Sequence, residues 1–148
     1  MGKTEACKII VETEFKVEFY DVDLMGIVYH GNYLKYFEVA RWALLEKIRY
    51  TYDDMAASGC SFPVTSVALK YLKPLRFNDR VRARAILEEY ENCLKIRYEL
   101  YNARTGEMTT KGQTTQMVFN VLKNESSFVC PRSLIEKAES LLASEAGR

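Results

Sequence analysis

Residues 20–41 read YDVDLMGIVYHGNYLKYFEVAR, and this stretch determines how the chain is interpreted. It places a carboxylate at Asp23, a turn at Gly26, the only histidine at His30 and the start of a helical pattern from about Asn32. Glycine permits a sharp turn, and the first N–H groups of a helix have no partner within it. Because the helix dipole also attracts negative charge there, the order predicts an active site that polarises a carbonyl group beside a carboxylate.

Hydrophobic periodicity around this stretch predicts one strand and one long helix. Between residues 8 and 20, apolar or β-favouring side chains alternate with charged ones, which is typical of a half-buried strand. From Asn32 to Ile48 apolar residues recur every three or four positions, the period of a helix face, and Asn32 suits the N-cap position. Val39 and Trp42 add apolar area away from this face, so we expect the helix to be covered on most sides.

The remainder of the chain favours antiparallel strands. Residues 53–63 are interpreted as a loop, and an alternating run through Val67, Leu69 and Tyr71 follows. Residues 81–87 and 94–100 predict a long hairpin, and residues 109–122 predict the third strand of a meander. The last periodic segment, residues 131–143, predicts a short C-terminal helix.

These elements predict an α+β fold in which an antiparallel five-stranded sheet wraps around one long central helix. A long apolar helix followed by a run of strands buries its surface if the sheet curls around it. We expect one domain over residues 1–148, with its core between about residues 8 and 122, because a chain of this length can bury a sizeable core unaided.

The charge balance gives no support to a polyanion partner. A formal net charge of +1 creates no field that would recruit nucleic acid. Arg80, Arg82 and Arg84 occupy one strand face and could contact phosphates, but alternating charge on the outer face of a sheet is more often simply solvated. No run of about 18 uncharged apolar residues is present, so no membrane span is expected.

Cysteine and histidine usage argues against metal sites and crosslinks. Cys7, Cys60, Cys93 and Cys130 form no CxxC pair, so reduced thiols and a cytoplasmic location are expected. A single histidine without Cys/His spacing excludes the common zinc motifs, and neither a GxGxxG sequence nor a P-loop is present. We therefore expect neither a metal nor a cofactor.

The candidate site residues also have purely structural interpretations. An aspartate beside a turn commonly accepts backbone hydrogen bonds, and a lone histidine is more often structural than catalytic. Asp21 would share one side of an extended chain with Asp23, where the two carboxylates could act together or merely crowd each other. Asp23 is favoured for chemistry because it lies nearer the turn and the helix start.

The same stretch resembles the hotdog-fold acyl-CoA thioesterases of the 4-hydroxybenzoyl-CoA thioesterase and YbgC type. The shared pattern is D-x-x-G-[IV]-V-[YFW]-[HY]-x-x-Y followed by E-x-A-R. It is matched here by Asp23, Gly26, Ile27, Val28, Tyr29, His30, Tyr33, Glu38, Ala40 and Arg41. Residues 68–85 resemble the second and third strands of that family. The resemblance implies subunits paired through their sheet edges, active sites at the subunit interface and a homodimer or homotetramer.

The resemblance also implies hydrolysis of an acyl-CoA or acyl-carrier-protein thioester to a free acid. Asp23 matches the catalytic aspartate, which acts as a nucleophile or as a general base. His30 matches the position whose backbone N–H polarises the thioester carbonyl, and its side chain is a secondary candidate. The substrate-binding residues implied are Tyr20, Gly26, Ile27, Val28, Tyr29 and Tyr33.

Two features depart from the family pattern. Phe19 stands where the YbgC branch has a tyrosine, and the strand turn at residues 88–92, EEYEN, lacks the basic residues that hold CoA phosphates in some relatives. Two alternative functions remain open at this point: a hotdog dehydratase or isomerase, whose histidine-centred helix motif is absent, and a noncatalytic acyl-binding protein.

Overall fold

The computed structural model of the protein describes residues 8–146, and a long helix lying against an antiparallel sheet is its main feature. The helices are α1 (Tyr33–Ile48), α2 (Tyr52–Ser58) and α3 (Arg132–Ala146). The strands are β1 (Ile10–Lys16), β2 (Cys60–Ser61), β3 (Val64–Tyr71), β4 (Arg80–Glu89), β5 (Leu94–Asn102), β6 (Met108–Gln116), β7 (Val118–Asn120) and β8 (Glu125–Ser127).

The predicted five-stranded antiparallel sheet is confirmed, in the order β1-β4-β5-β6-β3. α1 packs against β1, β4 and β5 through the apolar face that its periodicity predicts. The buried residues of that face are Tyr33, Tyr36, Phe37, Ala40, Leu44, Leu45 and Ile48. The alternation in β4 is also as expected, since Val81, Ala83 and Ala85 are fully buried between its arginines.

Close contact between α1 and β6 depends on a glycine. A Cβ atom at Gly112 would lie 2.5 Å from a ring carbon of Phe37 and 2.7 Å from the carbonyl oxygen of Ala68. Phe37 also stacks on Tyr98 of β5, with ring centroids 4.5 Å apart and planes 5° from parallel. Any larger residue at position 112 would therefore have to lift the helix or displace β3.

The expectation of a loop over residues 53–63 is wrong in its first half, because α2 occupies Tyr52–Ser58. Thr51 and Asp54 form a capping box, in which the Thr51 N–H donates to Asp54 Oδ2 at 2.8 Å. Gly59 is the left-handed C-cap of this helix, with φ +72°, rather than a loop breaker.

Two strand predictions are too long. β1 ends at Lys16 and is followed by a 3₁₀ turn at Phe19–Asp21, which leaves Phe19 70% exposed instead of facing the core. The predicted strand at residues 109–122 divides into β6 and β7, and β7 belongs to a second, three-stranded sheet with the order β2-β7-β8. Sequence periodicity missed that small sheet because its strands are two or three residues long.

One edge of the five-stranded sheet is exposed to solvent, whereas the C-terminal helix packs against the core. β3 lies at the sheet edge, and Val67 of its predicted alternating run is 44% exposed in the single chain. The predicted C-terminal helix is confirmed as α3, which continues to Ala146, and its Leu134 and Ala138 are fully buried. Among the described residues, no helix has the length and apolarity needed to cross a bilayer.

Candidate active site

The segment between β1 and α1 folds into a tight turn, as the sequence predicts. The Asp23 N–H donates to the Ile27 carbonyl at 2.8 Å, and the Gly26 N–H donates to the Asp23 carbonyl at 3.0 Å. Gly26 has φ +79°, in the left-handed region that glycine adopts without strain. Val22 and Val28 pair across the base of the turn and close it, and the Val28 N–H donates to the Leu75 carbonyl at 2.8 Å, which ties the turn to the segment after β3.

The Asp23 carboxylate is exposed at the tip of this turn, and one oxygen has a structural role. Asp23 Oδ1 accepts a hydrogen bond from the Met25 N–H at 2.8 Å, an arrangement typical of aspartate in turns. Oδ2 has no hydrogen-bond partner within residues 8–146. The structural and chemical interpretations are therefore compatible, because one oxygen orients the carboxylate and the other is open.

Asp21 does not lie beside Asp23, and the expectation that the two share one side of the chain is wrong. The 3₁₀ turn at Phe19–Asp21 breaks the extended geometry, and Asp21 is only 2% exposed. Its carboxylate accepts hydrogen bonds from Lys35, from the Tyr36 hydroxyl at 2.9 Å and from the Glu18 N–H at 3.1 Å. Asp21 therefore anchors the turn segment to the first turn of α1.

The surroundings of Asp21 favour its ionised form. Burial alone would raise the pKa of this carboxyl group, but the hydrogen bonds from Lys35, Glu18 and Tyr36 outweigh that cost and hold the pKa below its ordinary value. The same contacts act oppositely on Tyr36, whose pKa is raised by burial and by its hydrogen bond to Asp21. Tyr36 is therefore a neutral donor at physiological pH.

The start of α1 is preceded by a 3₁₀ turn at His30–Asn32. Asn32 occupies the N-cap position as predicted, but its side chain donates to the Asp21 carbonyl at 2.8 Å instead of capping the helix. The same carbonyl accepts the Tyr29 N–H at 2.9 Å. The His30 N–H has no acceptor in the described part of the chain, as expected of the first amide of a helical turn.

A cleft of about 360 Å³ opens at this end of α1. Four of the predicted site residues line it: Ile27, Val28, His30 and Tyr33. Gly26 and Asp23 form the adjoining turn, and Tyr29 is half exposed with its ring 4.3 Å from that of His30. Tyr20 lies apart from the cleft lining, where its ring contacts the Lys35 ammonium group.

The other wall of the cleft was not predicted from the sequence. It consists of Tyr71, Leu72, Lys73 and Pro74, at the end of β3. The Tyr71 hydroxyl donates to the His30 carbonyl at 2.9 Å, and its ring meets that of Tyr33 edge to face at 5.0 Å. These contacts join β3 to α1 across a separation of 41 residues, which periodicity cannot reveal.

The arginines of β4 contact carboxylates on neighbouring strands. Arg80 pairs with Glu14 at 2.7 Å, and Arg84 pairs with Glu99 at 2.9 Å. Arg82 lies 3.5 Å from Glu12. Because these arginines are paired with carboxylates, the interpretation of this strand face as a solvated surface is favoured over a phosphate site.

Within residues 8–146, Cys60, Cys93 and Cys130 are free thiols and no cluster suited to a metal ion occurs. Cys7 lies outside the described residues.

A long helix seated on an antiparallel sheet, with an open cleft and a carboxylate turn at its N-terminal end, defines a hotdog-fold protein. The family model of the thioesterase-like superfamily matches residues 17–138. The chain belongs to this superfamily, and the resemblance inferred from residues 20–41 is confirmed.

Individual relatives agree with this placement. The chain is 32% identical over 109 residues to a Bacillus subtilis protein named as a candidate acyl-CoA thioesterase, YneP, covering 73% of this chain and 78% of that one. It is 30% identical to the 1,4-dihydroxy-2-naphthoyl-CoA hydrolase of Thermosynechococcus vestitus, covering 68% and 70%. The DHNA-CoA thioesterase structure from Staphylococcus aureus superposes with a TM-score of 0.80 at 27% identity, covering 94% and 95%.

The Asp21 anchor leads to a prediction about acid stability. Because the pKa of Asp21 is lowered on folding, its ionised form stabilises the protein above the unfolded-state pKa of about 4. That contribution is lost as the pH falls through the lower, folded-state pKa. We expect Asp21→Asn to reduce the free energy of unfolding by about 1–3 kcal/mol at neutral pH, and by progressively less below about pH 4.

Urea unfolding followed by circular dichroism over this pH range measures the difference. Glu125→Gln, which neutralises an exposed carboxylate in β8, serves as the control and should change stability little. A deficit in Asp21→Asn that stays constant from neutral to acidic pH would contradict the assigned role of the charge.

Proposed function

We propose that this chain hydrolyses acyl-CoA thioesters in the cytoplasm, releasing a carboxylic acid and CoA, with acyl-carrier-protein thioesters as substrates of the same chemistry. The observation that carries the proposal is the cleft at the N-terminus of α1: His30, whose N–H has no acceptor among the described residues, lines it, and the turn that bears the exposed Asp23 carboxylate continues into its lining at Ile27. Membership of a thioesterase superfamily supports the same reaction class.

Asp23 supplies the carboxylate for attack on the thioester carbonyl. It acts either directly as a nucleophile, forming an anhydride that water then hydrolyses, or as the base that deprotonates the attacking water. In both cases the sulfur departs as the CoA thiol and the acyl group leaves as an acid. The hydrogen bond from the Met25 N–H to Asp23 Oδ1 supports either role, because it orients the carboxylate and leaves Oδ2 available to react.

The His30 amide supplies the stabilisation of developing negative charge. As the carbonyl carbon becomes tetrahedral, its oxygen gains charge, and a preorganised backbone N–H at a helix start offsets that charge without reorganisation. The Tyr71 hydroxyl supports this arrangement by holding the His30 carbonyl, which fixes the orientation of the turn. The imidazole ring is then secondary to the backbone.

Replacing Asp23 by asparagine tests the carboxylate. Asparagine retains an oxygen that can accept the Met25 N–H, so the turn should persist while the nucleophile or base is lost. We expect kcat for acyl-CoA hydrolysis, followed by release of free thiol, to fall by about 10²-fold or more. Asp53→Asn, an exposed aspartate on α2, is the matched control; an Asp23→Asn enzyme within tenfold of wild type would rule out this mechanism.

The backbone and side chain of His30 can be separated by two substitutions. His30→Ala keeps the N–H, whereas His30→Pro removes it at the first position of a helical turn, where proline is tolerated. The preceding Tyr29 already has φ −60° and ψ 133°, values suited to a residue before proline. We expect His30→Pro to lose about 10²- to 10³-fold more kcat than His30→Ala. Equal losses in two folded variants would move the role to the imidazole.

We further propose that two chains pair through the edge strand β3 to form a homodimer, which could associate further into a tetramer. Support comes from the open sheet edge, where Val64, Val67 and Tyr71 are each more than 40% exposed, and from Leu34 and Val39 on the uncovered side of α1. Such an edge with apolar side chains attracts a further strand.

Sedimentation of the purified protein tests this assembly. Wild type should sediment as a dimer or tetramer, and Val67→Lys should shift it toward monomer by placing charge on the pairing edge. Val129→Lys changes a valine that is more exposed, at 62% against 44%, and lies away from this edge, so it should leave the assembly intact. A monomeric wild-type protein would refute the proposal.

A further inference from the structure

A second cavity, of about 410 Å³, lies between α1, α2 and the residues that follow α2. We call it the distal cavity. Aromatic and aliphatic side chains form most of its walls: Trp42, Leu45, Tyr52, Met55 and Phe62. Trp42 and Tyr52 stack there with ring centroids 4.9 Å apart. The distal cavity shares no lining residue with the cleft at the helix N-terminus, so the proposed mechanism gives it no role.

Two charged residues of α1, Glu38 and Arg41, also line the distal cavity. They differ in exposure, since 58% of the Glu38 side chain is accessible to solvent but only 13% of the Arg41 side chain. A charged side chain that is this well covered usually has a partner for its charge. Here the partner is Glu38, whose Oε1 accepts a hydrogen bond from one Arg41 nitrogen at 2.6 Å.

Part of the Arg41 guanidinium is left unbonded. The group has five N–H donors on three nitrogens. Within residues 8–146 its acceptors are the Glu38 carboxylate and the neighbouring Tyr98 hydroxyl, so at least one nitrogen has no partner. No Arg41 nitrogen is both buried and unpartnered, so the unbonded one is accessible. Because Arg41 lines the distal cavity and most of its side chain is otherwise covered, this donor opens into the cavity.

Glu38 is a partner that a ligand can displace. Its carboxylate is mostly exposed, one turn before Arg41 on the same helix, and water and salt weaken exposed pairs of this kind. Its side chain can therefore turn to solvent at little cost. No other carboxylate lines the distal cavity, so a ligand that brings its own carboxylate meets a single competitor.

The lining favours a carboxylate on an apolar body. A planar guanidinium offers N–H groups whose spacing matches the two oxygens of a carboxylate. Arg41 would repel an ammonium group, and a phosphate dianion would need more than one cation to offset its desolvation among apolar walls. The stacked rings and aliphatic side chains suit a hydrocarbon body, and the volume is within the range of small-molecule sites.

We propose that the distal cavity binds a free carboxylic acid with an apolar body, in its ionised form, with Arg41 bonding the carboxylate and Trp42 and Tyr52 contacting the body. Glu38 is then a competitor of the ligand rather than a part of its site. The acid that the proposed hydrolysis releases belongs to this ligand class, but the binding itself does not depend on that reaction.

Trp42 makes occupancy directly measurable, because it is the only tryptophan in the chain and lies in the wall of the distal cavity. The probes are octanoic acid and 1-octanol, which share the same chain length and differ in the carboxylate. At neutral pH both should change the tryptophan fluorescence of the wild-type protein. The acid should bind about tenfold more tightly than the alcohol, the fold-change expected from a hydrogen bond to a charged group.

Two substitutions one helical turn apart should act in opposite directions. Arg41→Met removes the guanidinium at similar side-chain length, so the acid should bind no more tightly than the alcohol. Glu38→Gln removes the competing charge, so the acid should bind about two- to fivefold more tightly than to wild type, with the alcohol unchanged. Arg132→Met neutralises an arginine whose side chain is 83% exposed on α3; it is the control and should bind both probes as wild type does.

A second pair of variants locates the binding. Ala56→Leu adds volume in the wall of the distal cavity and should weaken binding of both probes. Ala57→Leu, the next residue on α2 and outside the lining, should bind them as wild type does. Together with Glu38→Gln, this pair tests the proposal even if Arg41→Met does not fold.

Equal affinity of the wild-type protein for acid and alcohol, an unchanged Trp42 signal, or weaker acid binding by Glu38→Gln overturns the proposal. An Arg41-dependent preference for octanedioyl-CoA over octanoyl-CoA in turnover would place the carboxylate on the acyl chain of the substrate, and would also overturn a site for the free acid. The binding measurements involve no thioester, so their outcome is distinct from a failure of the proposed hydrolysis.

Discussion

The position of α1 on the sheet is the constraint on which the rest of the structure depends. Helix and sheet can approach this closely only because β6 carries no side chain at Gly112, beneath the ring of Phe37. The stacking of Phe37 on Tyr98 then fixes the helix against β5. Once the helix axis is set, the direction of its first N–H groups is also set, so packing in the middle of the domain determines the geometry at its edge.

The two aspartates before α1 differ in what their oxygen atoms contact. Both carboxylate oxygens of Asp21 accept hydrogen bonds, from Lys35 and from Tyr36. Its backbone carbonyl accepts two more, from the Asn32 side chain and the Tyr29 N–H. A carboxylate used in this way is a poor base, because its hydrogen bonds favour the ionised form. Asp23, at the tip of the turn, keeps one oxygen free. In the proposed mechanism, Asp21 is therefore the structural residue, and Asp23, two positions later, is the reactive one.

Local signals in the sequence predicted the elements that depend on local periodicity, and missed those that depend on distant contacts. Apolar residues that recur every three or four positions predicted α1, and apolar residues at every second position predicted the β4–β5 hairpin. α2 was missed because seven residues hold too few repeats, although the spacing of Thr51 and Asp54 is a capping signal. The contacts of Asp21 with Tyr36 and of Tyr71 with His30 join residues 15 and 41 positions apart, which no short window of sequence contains.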